Sequence, residues 1–157
     1  MSDEHAQFSV HNEPAWRERA NFVVNAVLPE PDRYEQLWCR RVGDDEFEVC
    51  CIPFFLYDIA LGDVVQTSPQ RGRMYVVSGV KVRSGRYVFR AFFEPSMWGS
   101  REGVANGLSE LGGLLEWSSA SLLAADARDF EHAQQLAGYL FEQQNLGRVV
   151  YETGRSA

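Results

Sequence analysis

Three cysteines, three histidines and a row of basic residues are the side chains in this sequence that could do chemistry. Cys39, Cys50 and Cys51 would suggest a metal centre, but their spacing matches no zinc pattern and adjacent residues on a strand point to opposite faces. They read better as small buried hydrophobes, with a regulatory Cys39 to Cys50 disulfide left open. Nucleophilic catalysis needs a nucleophile beside an oriented base. His5 and His11 fall in a polar N-terminal stretch, and His132 falls in the first turn of a helix, where an exposed polar residue is ordinary. Asp44, Asp45 and Glu46 crowd a hairpin tip, where carboxylates stay solvated and keep ordinary acidity. The sequence carries neither a phosphate-binding loop nor a dinucleotide fingerprint, so no cofactor and no metal is expected.

Binding chemistry is better represented. Lys81, Arg83, Arg86 and Arg90 collect on one face of an expected hairpin in an otherwise acidic chain. They either solvate a sheet face or hold a carboxylate-rich partner or a phosphate-bearing ligand through charge-assisted bonds. Arg40 falls on an otherwise apolar strand face, where it pairs with an acid or reaches solvent. Asp63, after Gly62, reads as a turn residue whose carboxylate accepts backbone N–H bonds. An enzyme with an atypical pocket would use Asp63, Arg40 and Tyr57. Trp98 follows Pro95 in a loop and either closes over the sheet or anchors a partner.

The elements that must position these residues belong to a chain of 157 residues with a formal net charge of -7, enough for one unit or two very small ones. The acidic balance argues against nucleic acid, which rewards basic surface through counterion release. No apolar run approaches the roughly 20 residues of a membrane span, and the start lacks the pattern of a signal peptide. A cytoplasmic location with reduced thiols is the expectation.

Residues 1 to 15 are polar and aperiodic and are expected to be a mobile tail, as are residues 154 to 157. Residues 16 to 85 alternate short β-branched runs with turns and predict a β-rich, barrel-like half. Within it, Leu37 to Ile52 forms a hairpin. A turn at Asp44-Asp45 would place Phe47 opposite Val42, Val49 opposite Arg40 and Cys50 opposite Cys39. Phe54 to Leu61 is too apolar for an exposed loop and predicts a buried turn or short helix. Met74 to Arg83 is expected to pair with Arg86 to Phe93 through Ser84-Gly85.

Residues 86 to 153 read as β-α-β-β-α-β, the order of a ferredoxin-like arrangement with both helices on one face of an antiparallel sheet. Ser100 and Asp129 stand where N-caps belong, and Gly112 and Gly147 where helices stop. The fold class expected is therefore α+β, a barrel-like half sharing its core with a ferredoxin-like half.

The stretch Ile52 to Val65, IPFFLYDIALGDVV, follows Leu37-Trp38-Cys39 and precedes the serine-glycine turn. In these features the chain resembles an uncharacterised bacterial domain-of-unknown-function family over roughly residues 21 to 152. The resemblance implies a bacterial, cytosolic origin and brings no catalytic residue with it. The functional expectation is a non-catalytic binding protein of the immunity or inhibitor kind that neutralises a protein partner. A sensor of a small anionic ligand is the second expectation, and an enzyme with an atypical pocket the third.

Overall fold

Alternation of apolar and polar residues sets the first sheet. The computed structural model describes residues 5–154. Strand β1 (Gln7–Ser9) is followed by a 3-10 turn at Arg17–Arg19, then β2 (Phe22–Val27), β3 (Arg33–Arg41), β4 (Glu46–Val49), β5 (Val64–Gln70) and β6 (Arg73–Val82). They form one sheet in the order β1-β3-β2-β6-β5-β4, and β3 also pairs with β4, so the ring of pairings from β2 to β6 closes on itself. Closure satisfies backbone groups that an open sheet edge would leave exposed. Val24, Leu37, Cys39, Phe47, Val49 and Val65 are fully buried together, as period-two alternation requires.

The second sheet takes β7 (Tyr87–Phe92), β8 (Leu114–Trp117), β9 (Leu122–Ala127) and β10 (Val150–Thr153) in the antiparallel order β10-β7-β9-β8. Helices α1 (Arg101–Glu110) and α2 (Phe130–Asn145) pack on one face of it through Val104, Leu108, Leu136 and Leu140, against Phe89, Ala91, Leu123 and Ala125. The fold is α+β. The other face of the sheet is covered in part by the segment from Ile52 to Leu61, whose Ile52, Phe54, Ala60 and Leu61 bury against Val88 and Ala124. Asp129 caps α2, accepting from the His132 amide at 2.8 Å. Ser100 precedes α1 but does not cap it, because its hydroxyl donates to the carbonyls of Met97 and Arg148 instead.

Three expectations need correction. First, residues 5 to 15 are not a loose tail: β1 pairs in parallel with β3, Gln7 opposite Arg33, and His11 is buried. The burial comes from two carboxylates contributed by distant strands, which local periodicity cannot register. Gly154 is buried as well, its amide donating to the Val88 carbonyl, while residues 1–4 and 155–157 lie outside the described residues. Second, the hairpin between β3 and β4 is shifted by one residue, so Cys39 faces Val49, Arg40 faces Glu48 and Arg41 faces Phe47. The Val42 and Gly43 amides both reach the Glu46 carbonyl, which makes the connection longer than a two-residue turn.

Third, β6 and β7 do not pair. β6 lies beside β5, and β7 lies between β9 and β10. The link between them is held by Asp63, whose carboxylate accepts the Ser84 amide at 2.8 Å, while the Ser84 hydroxyl donates to the Leu61 carbonyl at 2.8 Å. With Gly85 at a φ of 84°, open to glycine and costly for other residues, the chain leaves one sheet there and enters the other.

Candidate functional site

Because β6 and β7 diverge, the four basic residues do not share a face. Lys81 pairs with Glu46, and Arg83 donates to the Asp58 carbonyl at 2.5 Å. Arg86 makes a two-pronged contact with Asp126, Nε at 3.0 Å and Nη2 at 2.6 Å. Burial pushes the Asp126 carboxyl above its ordinary range despite the arginine beside it. Arg90 is 3% exposed. The face of β7 that carries Val88 and Arg90 is buried, because the segment from Ile52 to Leu61 lies across it.

The other candidates are likewise separated. Arg40 reaches Glu48 at 3.1 Å, in company with Arg19 at 2.6 Å. Burial alone would raise the Glu48 carboxyl, yet its bonds to those two arginines hold it below the ordinary value. Asp63 is buried and accepts the Ala60 and Ser84 amides, as a turn carboxylate does. Asp63, Arg40 and Tyr57 therefore serve three different neighbourhoods. Trp98 donates its indole N–H toward the Phe93 carbonyl at 3.2 Å and leaves its ring half exposed under Arg101, 5.1 Å away. His132, expected at the surface, is buried: its Nδ1 accepts the Arg128 amide at 3.0 Å, and its Nε2–H donates to the Leu111 carbonyl at 2.7 Å. That pairing uses both ring nitrogens to brace α2 against the end of α1.

Sequence reasoning missed a buried triad. His11 bridges two carboxylates, Nε2 to Glu35 at 2.7 Å and Nδ1 to Glu116 at 2.7 Å, with its ring stacked on Phe54 at 4.1 Å between centroids. Both carboxylates are otherwise saturated by backbone amides: Glu35 accepts from Phe54 and Phe55, and Glu116 from Ala15 and Ile52. Burial by itself would lower the His11 pKa. The influence of Cys51 and the two carboxylates outweighs it and holds the value at about 12, so the ring is an imidazolium. One cation thus ties the N-terminal segment, the first sheet, the second sheet and the segment between them.

Cys51 adjoins this triad, but a cysteine beside a histidine is not here a nucleophile. It is fully buried, and burial pushes its thiol up to about 12. Cys50 is pushed up to about 11 and Cys39 higher still, both chiefly by burial. All three thiols are free. Among the described residues no group of histidine, cysteine or acidic side chains is arranged to hold a metal ion.

A concave feature lies on the same side of the second sheet, just beyond the part that Ile52 to Leu61 covers. It is a groove of about 570 Å³ between Phe55 and Tyr57 on one wall and Phe92, Leu122 and Val150 on the sheet. Tyr57 is 48% exposed and Phe92 46%, an expenditure of apolar surface that single scattered side chains do not make. Arg90 lines the groove. One Nη donates to the Leu56 carbonyl, the other stands 3.7 Å from Glu152, the Tyr57 ring lies 4.8 Å away, and Nε has no hydrogen-bond partner. The Tyr57 hydroxyl donates to Glu152 at 2.8 Å, and that bond raises its pKa. A second groove of about 500 Å³, walled by Trp98, Arg101 and Trp117, meets the first at Ser119.

Of the residues singled out from sequence, the groove contains Arg90 and Tyr57. Phe55, Phe92 and Glu152 went unmarked, as did Glu35 and Glu116. A signal for Glu35 was present: it shares strand parity with Leu37 and Cys39, which puts a carboxylate on a core face.

Two sheets, two helices packed on one face of the second and an aromatic groove on its other face define an α+β protein. The chain belongs to the family described as domain of unknown function DUF4265, whose model matches residues 35–151. No curated protein matches the sequence. Among solved structures it is similar to a hypothetical protein from Neisseria gonorrhoeae, with a TM-score of 0.69 and 16% identity, over 85% of this chain and 93% of that one. At that identity the likeness shows the fold alone. No helix among the described residues is long and apolar enough to cross a membrane.

Proposed function

We propose that this is a non-catalytic binding protein of the bacterial cytoplasm and that the groove beside Arg90 is its receiving site. The closed ring of strands reads as a small barrel, and the β10-β7-β9-β8 sheet with its two helices as a ferredoxin-like half. The barrel-like half lends the segment from Phe54 to Tyr57 as one wall of the groove. The observation that carries the reading is the exposure of Phe55, Tyr57, Phe92 and Val150 around one concave surface. Tyrosine and arginine at the centre of an apolar patch are the side chains that dominate binding energy at interfaces. The occupant under the leading reading is a protein that this chain neutralises, with the Trp98 and Trp117 groove extending the contact beyond Ser119.

The product of the gene beside its own is the partner to try first. The tagged wild-type chain should retain it at equal stoichiometry, and Phe92→Ser should lose it while its melting temperature stays within about 5 °C. Equal retention by the two proteins would refute the groove as the site. A second reading, a sensor for a small anionic ligand, is favoured by the unpartnered Nε of Arg90.

A further inference from the structure

The geometry points to a free monocarboxylic acid with an apolar body as the occupant of the groove, its carboxylate on Arg90 and its body between Tyr57 and Phe92. This rests on the second reading of that groove, a site for a small anionic ligand, and adds the chemistry of the ligand. Three observations bear on it. A guanidinium carries five N–H donors, and burial without full pairing is costly. On this arginine, 3% exposed, the enclosed Nε is unpartnered and one Nη comes no nearer than 3.7 Å to Glu152, so an acceptor that reaches the guanidinium from the groove meets a donor set not fully used. The groove, at about 570 Å³, has the size that suits a small molecule, and its walls are mainly aromatic and aliphatic. Arginine recognises a carboxylate with two parallel bonds, and a low-dielectric wall strengthens them.

The place such a carboxylate would take is contested by a residue of the chain itself. Glu152 stands 3.7 Å from an Nη of Arg90, beyond hydrogen-bond reach, and is instead bonded to the Tyr57 hydroxyl on a half-exposed side chain. It balances the arginine's charge without satisfying its geometry. An incoming carboxylate competes with Glu152, and removing the charge of Glu152 should therefore tighten binding rather than loosen it. A groove that merely accepts apolar bodies would not respond in that way.

The probes are indole-3-butyrate, phenylpropanoate and decanoate, each set against its uncharged amide, titrated into the full chain and followed by calorimetry and by amide NMR shifts. The expected result is that at least one acid binds with shifts centred on Phe55, Tyr57, Phe92 and Val150, at least tenfold tighter than its amide. Glu152→Gln should bind that acid about threefold to tenfold tighter, and Arg90→Met should lose it. If Arg90→Met fails to fold, the Glu152→Gln comparison decides. An amide that binds as well as its acid, an unchanged affinity in Glu152→Gln, or no binding of any acid at millimolar concentration would overturn the assignment. A pentapeptide with a free C-terminal phenylalanine that binds tenfold tighter than every free acid would overturn it too, in favour of a chain terminus. If no acid binds yet Phe92→Ser still abolishes retention of the protein partner, the acid is wrong and the groove stands as the receiving site.

Discussion

Replacing His11 by glutamine removes the one cation between Glu35 and Glu116 and leaves both carboxylates buried. Breaking a buried ion pair from one side costs about 3–5 kcal/mol, because the remaining charge is uncompensated. Here two charges remain, each still accepting two backbone amides, so the lower half of that range is expected. The same site sets a pH dependence. The folded protein holds the His11 proton up to about pH 12, whereas the unfolded chain releases it near 6.5. Above about 6.5 the native state therefore binds more protons than the unfolded one, and stability falls as pH rises, by up to about 1.4 kcal/mol per unit. The contribution is complete below 6.5 and exhausted only near 12. From pH 7 to pH 8.5 the loss is about 2 kcal/mol, in a window below the ordinary thiol value of 9.0 where the buried cysteines add little. Urea denaturation at pH 6.5, 7, 7.5, 8 and 8.5 measures both effects. Wild-type stability should decline steadily, and His11→Gln should start lower and be nearly flat. A wild-type curve flat to within about 0.5 kcal/mol over that window would refute the imidazolium. A variant as stable as wild type would refute the triad as a tie.

Asp63→Ala should cost about 1–3 kcal/mol in urea denaturation, since it strands the buried Ala60 amide and releases the Ser84 amide that turns the chain. Arg83→Gln, which alters a half-exposed neighbour of the same turn, should stay within about 1 kcal/mol. In α1, Gly103→Ala meets open space and should stabilise by about 0.5–1 kcal/mol, whereas a Cβ at Gly107 falls 2.0 Å from the Tyr139 hydroxyl. Gly107→Ala should therefore lower the melting temperature where Gly103→Ala raises it. Rapid alkylation of denatured protein prepared without reductant should count three thiols; fewer would mean that a cysteine pair closes despite Cys39 facing Val49.

The elements after Pro95 were legible because their signals are local. Val104, Leu108 and the run from Ala133 to Leu140 recur at helical spacing, and Asp129 caps where an acid should. The buried Phe54 and the turn role of Asp63 followed from apolar density and from glycine chemistry. The β3 and β4 hairpin was legible as a pair of strands, but its register depended on whether the Gly43-Asp44-Asp45 connection held two residues or more. A slip of one residue reassigned every partner, and with them the Cys39 to Cys50 pairing. The β6 and β7 runs have a period that suits a hairpin, and the Ser84-Gly85 step suits its turn. Asp63, 21 residues away, captures the Ser84 amide and redirects the chain.

The sequence by itself determined the α+β class, the helices of the second half, the buried state of the cysteines and the apolar character of the stretch after Pro53. Each of these depends on residues within a few positions of one another, where periodicity and turn chemistry act directly. Tertiary structure alone decided that Arg90 faces a groove, that His11 is a buried cation and that the basic row is dispersed into separate pairs. In each case the deciding partner is far off along the chain: Glu152 for Arg90, Glu116 for His11, Asp126 for Arg86. Burial turns a charge from a solvated ornament into a group that must be matched, and which strand supplies the match is settled only when two sheets and the segment between them close on one another.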